Sequence, residues 1–273
     1  MEVFKIDNFI LNDANYFSLE NENKFMGVSQ FKAFLVSHNG CEAKKMAELK
    51  GLWKDEESTA LLVGSYFHSH FEENLGGFKL VHPEIFTKQG TLKSEYKKAD
   101  EMINCLEKDD AFKEIYVGDK EKIYTGELFG VMWKIKVDLL NLKEGYFIDL
   151  KTTRDFEKQW IEHEGKNIKV TFVEKWGYFL QIAIYREILA QNLGLEPGEL
   201  EAFIIAATKQ DPPDKVVLCF IEEDFQEGLR EVQTYINHIM DVKEGRVEPV
   251  RCGKCAYCRS TKRLDKAIHW SEL

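Results

Sequence analysis

Apolar and polar residues alternate along two central stretches of the chain, Ile123–Leu140 and Tyr146–Thr152. Alternation with a period of two is typical of strands with one face in a core, so these stretches predict three β-strands. Gly130 and Gly145 interrupt the pattern where a turn or bulge is expected. Two shorter apolar runs on either side of a Pro-Pro pair predict further strands, namely Ala202–Thr208 and Val216–Ile221.

Helical spacing of apolar residues marks the segments before and after these strands. Residues 80 to 122 instead predict a loop followed by a charged helix, and the polar residues 1 to 24 predict a loosely packed lead-in. The order of the elements indicates an α/β layered domain without repeats. The predicted helices are one with Ser29 as its N-cap, Cys41–Leu49, Ser58 to about Asn74, Phe172–Leu193 and Glu222–Val242.

The hairpin of the second and third strands carries two carboxylates and one amine. Every second side chain from Trp133 to Leu139 is apolar and can face a core, which leaves Asp138 on the opposite face. Asp149 and Lys151 are two residues apart on the next strand, so they project together. The hairpin can bring Asp138 beside them.

Two converging carboxylates suit a hard divalent cation such as Mg²⁺, which prefers oxygen ligands and keeps several waters. Such a cation can lower the pKa of a bound water and stabilise charge on a phosphoryl group. A lysine alongside can orient the attacking water or neutralise that charge. The hairpin therefore predicts a site for phosphodiester hydrolysis.

An acid-x-Lys triplet is a weak signal by itself, because the chain also contains Glu42-Ala43-Lys44, Glu95-Tyr96-Lys97 and Asp241-Val242-Lys243 on predicted helices. The apolar strand around Asp149-Leu150-Lys151 and the second aspartate on the preceding strand distinguish this triplet from the others. From these residues alone, a metal site and an exposed ion pair both remain open.

Three more acids and bases are candidates for the same site. Gly64, His68 and Glu72 follow one another at spacings of four and share one helical face, so His68 and Glu72 can reach one point. An interior histidine and an exposed helix carboxylate are the alternative interpretations. Glu127, on the strand before Asp138, is an additional candidate that ranks below the two aspartates.

Four short motifs occur in an order that resembles a known nuclease superfamily. They are GSYFH (Gly64–His68), KVD (Lys136–Asp138), IDLKTT (Ile148–Thr153) and QIAIY (Gln181–Tyr185). In this order they resemble the PD-(D/E)xK superfamily and, more narrowly, phage and prophage exonucleases of the RecE type. The resemblance covers roughly Gly27 to Lys262. It implies a restriction-endonuclease-like α/β core, in which helices flank a central mixed β-sheet.

The resemblance also implies roles for individual residues. Asp138 and Asp149 would bind Mg²⁺ or Mn²⁺, and Lys151 would position the attacking water. His68 would be a metal ligand or would assist nearby. The remaining motif would line the DNA-side wall of the site with Gln181 and Tyr185.

Charge separates the body of the chain from its tail. The formal net charge of −10 argues against a protein that coats nucleic acid nonspecifically. The segment Arg251–Lys266 is nevertheless basic, which predicts either a contact with DNA or a solvated surface tail. We expect an N-terminal arm over residues 1–26, a nuclease domain over 27–250, and a cysteine-rich basic tail over 251–273 that packs on the same domain.

The cysteines form a second candidate site. Cys252, Cys255 and Cys258 form a C-x-x-C-x-x-C run, which can hold a metal if a fourth ligand is present, and Cys41 is the best candidate. Some PD-(D/E)xK relatives hold a [4Fe–4S] cluster with one early and three late cysteines. An iron–sulfur cluster, Zn²⁺ and no metal all remain open. Cys105 and Cys219 lie in apolar surroundings and are expected to be buried.

The resemblance implies a Mg²⁺-dependent exodeoxyribonuclease that resects duplex DNA ends from 5′ to 3′. It also implies a ring-like homo-oligomer and a single-strand annealing recombinase as partner. The alternatives are an iron–sulfur nuclease that acts on single strands, of the CRISPR-associated type, and a noncatalytic DNA-binding module with a zinc clip. No apolar run reaches the roughly 20 residues of a membrane span, and the N-terminus lacks a signal-peptide layout. We therefore expect the cytoplasm of a bacterial or phage-infected cell.

Overall fold

A mixed five-stranded β-sheet with helices on both faces forms the centre of the molecule. The structure is a computed structural model that describes residues 11–163, 165–264, 267 and 269–272. The strands are β1 (Asp119–Leu128), β2 (Val131–Asn141), β3 (Tyr146–Thr153), β4 (Gln159–His163), β5 (Lys166–Val170), β6 (Glu201–Thr208) and β7 (Lys215–Cys219).

The helices precede, interrupt and follow the strands. The α-helices are α1 (Leu19–Lys24), α2 (Val28–Phe34), α3 (Glu42–Leu49), α4 (Thr59–Phe71), α5 (Leu75–Val81), α6 (Lys98–Glu107), α7 (Asp110–Ile115), α8 (Phe172–Lys175), α9 (Tyr178–Leu193), α10 (Glu222–Lys243) and α11 (Ala256–Ser260). Short 3₁₀ turns span Val36–His38, Pro83–Ile85, Ser94–Tyr96, Pro197–Glu199 and Trp270–Glu272. None of the helices described combines the length and apolarity that a membrane span requires.

The central sheet has the order β1-β2-β3-β6-β7. Strands β1, β2 and β3 form an antiparallel meander, β6 pairs parallel with β3, and β7 closes the far edge antiparallel to β6. The connection from β3 to β6 contains α9, as parallel pairing requires a long crossover. This arrangement confirms the mixed sheet flanked by helices.

Side chains from the two faces of the sheet enter two separate hydrophobic clusters. One cluster contains residues of α2, α9 and α10, and the other contains residues of α4 and α6. Neighbouring residues of β3 alternate between them, with Phe147 in the first and Ile148 in the second. On β2 the alternation changes at Asp138, because Val137 belongs to the first cluster and Leu139 to the second.

The predicted helix Phe172–Leu193 is wrong as one continuous element. It is divided into α8 and α9 by Gly177, which has φ of +61°. A Cβ at this position would overlap the ring of His38, so only glycine fits. Trp176, predicted to belong to the apolar stripe, is instead 47% exposed.

The start of the chain is more ordered than its composition predicts. The predicted loose lead-in is wrong for residues 16–24, because Ser18 caps α1 and Asn21 is fully buried. Residues 1–10 lie outside the described residues. The next helix also begins earlier than predicted, with Gly27 rather than Ser29 as its N-cap.

Several connections contain structure that periodicity did not predict. The predicted charged helix corresponds to α6. Two helices that were not predicted flank it along the chain, α5 before it and α7 after it. The β4–β5 hairpin follows β3 and carries Trp160, which is 65% exposed. Cys219 was expected to be buried and is exposed, and Cys105 is half-buried.

A buried lysine holds the N-terminal segment on the sheet. Lys134 of β2 is 1% exposed, and its ammonium donates to the backbone carbonyl of Tyr16 and to Glu22 Oε1 at 2.7 Å. It also lies 4.5 Å from the centre of the Tyr16 ring, which suits a cation–π contact. The buried charge of Lys134 is thus paired with Glu22. Lys134 lies on the face of β2 that the sequence pattern predicts to be polar.

We predict that Lys134→Ala lowers the free energy of unfolding by about 3 kcal/mol, because it leaves Glu22 without its buried partner. Lys122→Ala on the neighbouring strand is the matched control, since Lys122 is exposed and its ion pair with Asp119 is long, at 4.0 Å. Urea denaturation of the two variants measures the difference. Equal stability of both variants would contradict the assigned role of Lys134.

Candidate active site

Strands β2 and β3 part at the two aspartates. Their ladder pairs Asn141 with Tyr146 and ends at Leu139 and Ile148, so the next opposed positions are Asp138 and Asp149. Beyond that point the Leu150 N–H donates to Asp138 Oδ2 at 2.6 Å. A carboxylate oxygen therefore replaces the backbone carbonyl that a continued ladder would supply.

Asp149 is held from two sides. Its side chain is almost fully buried, Oδ1 accepts from Gln181 Nε2 at 2.6 Å, and Oδ2 forms an ion pair with the Lys151 ammonium. Oδ2 has no hydrogen bond of good geometry. Lys151 lies 5.0 Å from the centre of the Tyr178 ring, at the start of α9 just after the break at Gly177.

Helix α4 supplies the opposite wall. The Ser58 hydroxyl caps it by accepting from Leu61 N at 3.2 Å, as the predicted helix start requires. Helix α4 packs directly against β3, since a Cβ at Gly64 would be in van der Waals contact with Thr152 Oγ1, at 3.4 Å. One turn later, His68 Nδ1 lies 3.5 Å from Asp138 Oδ2.

A cleft of about 680 Å³ lies between these elements. Asp138, Lys151, His68, Gln181 and Tyr185 all contribute to its wall. The structure thus brings together these five predicted residues, and the buried Asp149 contacts two of them, Gln181 and Lys151. Glu72, which the sequence allowed to be either a site residue or an exposed helix carboxylate, also lines the cleft.

Glu127 is not brought to the cleft. It is exposed near the end of β1, and Glu121 of the same strand lines the cleft instead. Glu121 has φ of +54° and lies 2.5 Å from the ammonium of Lys136. The β1–β2 register places Glu121 opposite Asp138, so counting back from the turn at Gly130 would have found it.

Lys32 is a second residue that sequence patterns missed. It extends from α2 into the cleft, donates to the backbone carbonyl of Trp176 at 2.9 Å, and lies 5.5 Å from the Tyr178 ring centre. Burial and the charge of Lys151 lower its pKa to about 8. Lys32 reaches the cleft because α2 packs against α9, and this long-range contact cannot be predicted from a local sequence pattern.

Burial and charge oppose each other in this cleft. Burial raises the pKa of Asp138 and of Asp149, although the charge of Lys151 acts in the other direction. Burial would lower the pKa of Lys151, but the charges of Asp149 and Asp138 raise it. Desolvation and the Lys151 charge lower the pKa of His68 to about 4, so its imidazole is neutral at pH 7.

Glu121 and Glu72, the two acids near Asp138, both lie close to the ammonium of Lys136. Burial and the charge of Asp138 raise the pKa of Glu121 to about 8. Burial also raises the pKa of Glu72, whose Oε2 lies 3.9 Å from the Lys136 ammonium. The positive charge of Lys136 therefore faces Glu121 and Glu72, whereas that of Lys151 faces Asp138 and Asp149.

The donor set fits a hard divalent cation. Asp138 and Asp149 offer carboxylate oxygens, and the buried Asp149 Oδ2 lacks a well-formed hydrogen bond. The neutral His68 adds a nitrogen. Mg²⁺ needs only one or two carboxylates, because waters and substrate phosphates complete its shell. An open site on two aspartates therefore suits this ion better than a closed protein cage.

The cysteines form a compact second group. Cys41, Cys252, Cys255 and Cys258 place their sulfur atoms within 4.8 Å of one another. Of the His, Cys, Asp and Glu side chains in the described ranges, only this set has three or more ligand atoms so close together. The four predicted thiols are thus adjacent, and the group can hold a metal ion.

Comparisons with known proteins agree with this geometry. The family model described as "PDDEXK-like domain of unknown function (DUF3799)" matches residues 27–261. A crystal structure of a candidate exonuclease from Eubacterium rectale is 40% identical, with a TM-score of 0.89, and the match covers 97% of this chain and 98% of that one. The search of curated proteins found no match.

A second solved structure, described as SSO0001, matches more weakly. It is 15% identical with a TM-score of 0.30, over 85% of this chain and 93% of that one. A likeness of this size carries no argument about fold or activity.

We predict that Asp138→Asn weakens Mn²⁺ binding at least about tenfold, because it removes a charged oxygen ligand. Glu127→Gln is the matched control, since Glu127 lies on the adjacent strand away from the cleft. Calorimetric titration with Mn²⁺ measures both affinities. Manganese is suitable because carboxylates prefer it and thiolates do not. Unchanged affinity in Asp138→Asn would show that the aspartate is not a ligand.

Proposed function

Because the chain belongs to the family of PDDEXK-like domains, we propose that it is a metal-dependent exodeoxyribonuclease that resects the ends of linear duplex DNA. The observation that carries this proposal is the convergence of Asp138, Asp149 and Lys151 where β2 and β3 part. The family and the candidate exonuclease from Eubacterium rectale support a nuclease.

Asp138 and Asp149 would hold the cation, which when bound lowers the pKa of a water and stabilises negative charge on the phosphoryl group. The raised pKa of Lys151 keeps its ammonium charged at neutral pH. Lys151 therefore acts as a donor that orients water and phosphate and not as a general base. The cation–π contact with Tyr178 fixes the position of the ammonium.

Gln181 and His68 position the two aspartates. The amide of Gln181 donates to Asp149 Oδ1 and leaves Oδ2 directed towards Lys151. His68, neutral at pH 7, stands beside Asp138 Oδ2 and can offer a nitrogen to the metal or to water. Tyr185 and Gln181 lie on one face of α9 and line the wall that DNA would follow.

Cations and aromatic rings at the cleft supply contacts for the nucleic acid. Lys32 adds a positive charge near Lys151, and Phe17, which is 74% exposed, lines the same cleft. Amines bind phosphates, and an exposed ring offers a surface on which a base can stack. The overall negative charge is therefore compatible with binding confined to the cleft.

Direction and partners rest on the resemblance to RecE-type exonucleases. It favours 5′ to 3′ resection, a homo-oligomer around the DNA, and delivery of the single strand to an annealing recombinase. The structural relative from Eubacterium rectale, described as a candidate exonuclease, supports the exonucleolytic mode. A noncatalytic DNA-binding module is the competing proposal, and it requires binding without metal-dependent cleavage.

We predict that Asp149→Asn and Lys151→Met each reduce digestion of linear duplex DNA by about 10³-fold or more, since the first removes a ligand of the cation and the second removes positive charge beside the reacting phosphate. Lys158→Ala is the matched control, because Lys158 is exposed a few residues beyond β3. Initial rates with Mg²⁺ measure the effect, and thermal unfolding checks that the variants fold. Full activity in either folded variant would overturn the assigned site.

We predict that linear duplex labelled at the 5′ end releases its label before duplex labelled at the 3′ end, and only with Mg²⁺. Covalently closed circular duplex of the same sequence is the control and should remain intact. Gel analysis of a time course measures both. Early release of the 3′ label would reverse the direction, and cleavage of the circle would replace an exonuclease with an endonuclease. DNA binding without any cleavage would favour the noncatalytic module.

A further inference from the structure

The four clustered thiols come from opposite ends of the chain. Cys41 is the N-cap of α3, and the other three lie around the start of α11. Cys41 Sγ is 3.6 Å from Cys258 Sγ, and Cys252 Sγ is 3.9 Å from Cys258 Sγ. These separations are too long for disulfides, and all four residues are free cysteines.

Contacts other than the sulfurs also hold the tail against α3. Ala43 N donates to Val250 O at 3.1 Å, and Val250 N donates to Glu42 Oε2 at 2.8 Å. The rings of Trp53 and Tyr257 meet edge to face at 5.5 Å. The thiols are therefore brought together by a built interface and not by one loose loop.

Backbone amides point at two of the sulfurs. Cys255 N lies 3.3 Å from Cys252 Sγ, and Cys258 N lies 3.4 Å from Cys255 Sγ. These N–H···S contacts fix the positions of two of the four sulfurs, as a preformed metal site requires. Several thiolates this close repel one another unless a cation lies between them.

We propose that Cys41, Cys252, Cys255 and Cys258 bind one tetrahedral Zn²⁺ ion that clips the C-terminal tail to α3. Zinc binds thiolates at about 2.3 Å, so the sulfurs of a tetrahedral site lie about 3.8 Å apart. The observed 3.6 Å and 3.9 Å bracket that value. The full set lies within 4.8 Å, as one central ion requires.

The same distances disfavour an iron–sulfur cubane. In a [4Fe–4S] cluster each thiolate binds a different iron and points away from the cube, so the cysteine sulfurs lie roughly 6 Å apart. Here every pair of sulfurs is closer than 4.8 Å. The cysteine pattern alone left both centres open, and the separation of the sulfurs distinguishes them.

Metal analysis of the full-length protein, purified under reducing conditions from cells supplied with both zinc and iron, tests the proposal. We expect about one zinc per chain, little iron and no acid-labile sulfide, as a closed tetrathiolate site requires. Replacement of zinc by Co²⁺ should produce the intense visible absorption of a tetrahedral cobalt–thiolate centre. Four irons with sulfide, one iron, or no metal would each overturn the assignment.

Two variants locate the metal without reference to nuclease activity. Cys258→Ser should lose most of the bound zinc, and its tail after Val250 should become sensitive to protease. Cys219→Ser is the matched control, because Cys219 is an exposed free thiol outside the cluster, and it should retain the zinc. Full zinc content in Cys258→Ser would contradict the site. If Cys258→Ser does not fold, the stoichiometry and cobalt spectrum of the parent still decide.

Discussion

The hydrogen bond from Leu150 N to Asp138 Oδ2 marks the constraint on which the site depends: β2 and β3 must part inside a sheet. A strand that loses its neighbour exposes unpaired backbone groups, which are costly when buried. Here the carboxylate of Asp138 satisfies the first such group. The parting therefore creates a gap lined by two opposed aspartates while the sheet remains continuous through the β3–β6 pairing.

The position of β3 explains why charged residues are tolerated at the gap. Ile148 and Leu150 enter the cluster under α4 and α6, and the parallel ladder with β6 continues to Thr153. The strand is thus fixed independently of its polar side chains. Burial raises the pKa of Asp149 despite the charge of Lys151, so the attraction between them only partly offsets the desolvation of the carboxylate, as in many functional sites. A buried ion pair of this kind contributes little to stability, so its presence indicates a functional role.

Period-two alternation predicted the meander, and the spacing of Asp149 and Lys151 predicted their common face, because both depend only on local strand geometry. The break at Gly177 depends on the ring of His38, far away in sequence, and α1 becomes ordered because Lys134 is buried beneath it. Such contacts leave no periodic signal. Glu121 is different. Its position opposite Asp138 can be predicted by counting residues from the β1–β2 turn, and only its irregular backbone, with φ of +54°, departs from a regular strand.

The proposed zinc clip and the aspartate pair act on the fold at different scales. The clip joins Cys41 to Cys258, which are 217 residues apart, so it closes a loop of most of the chain. In the chain-entropy model such a closure contributes about 5 kcal/mol, comparable to the whole stability of many domains. The Asp138 hydrogen bond is worth about 1 to 3 kcal/mol and orders only its neighbours. Because Lys45 of α3 lies 3.7 Å from Glu22, and Glu22 pairs with Lys134 of β2, the clip also borders the contacts that hold the strand of Asp138. Its loss would therefore loosen the frame of the site before it changed the reacting groups themselves.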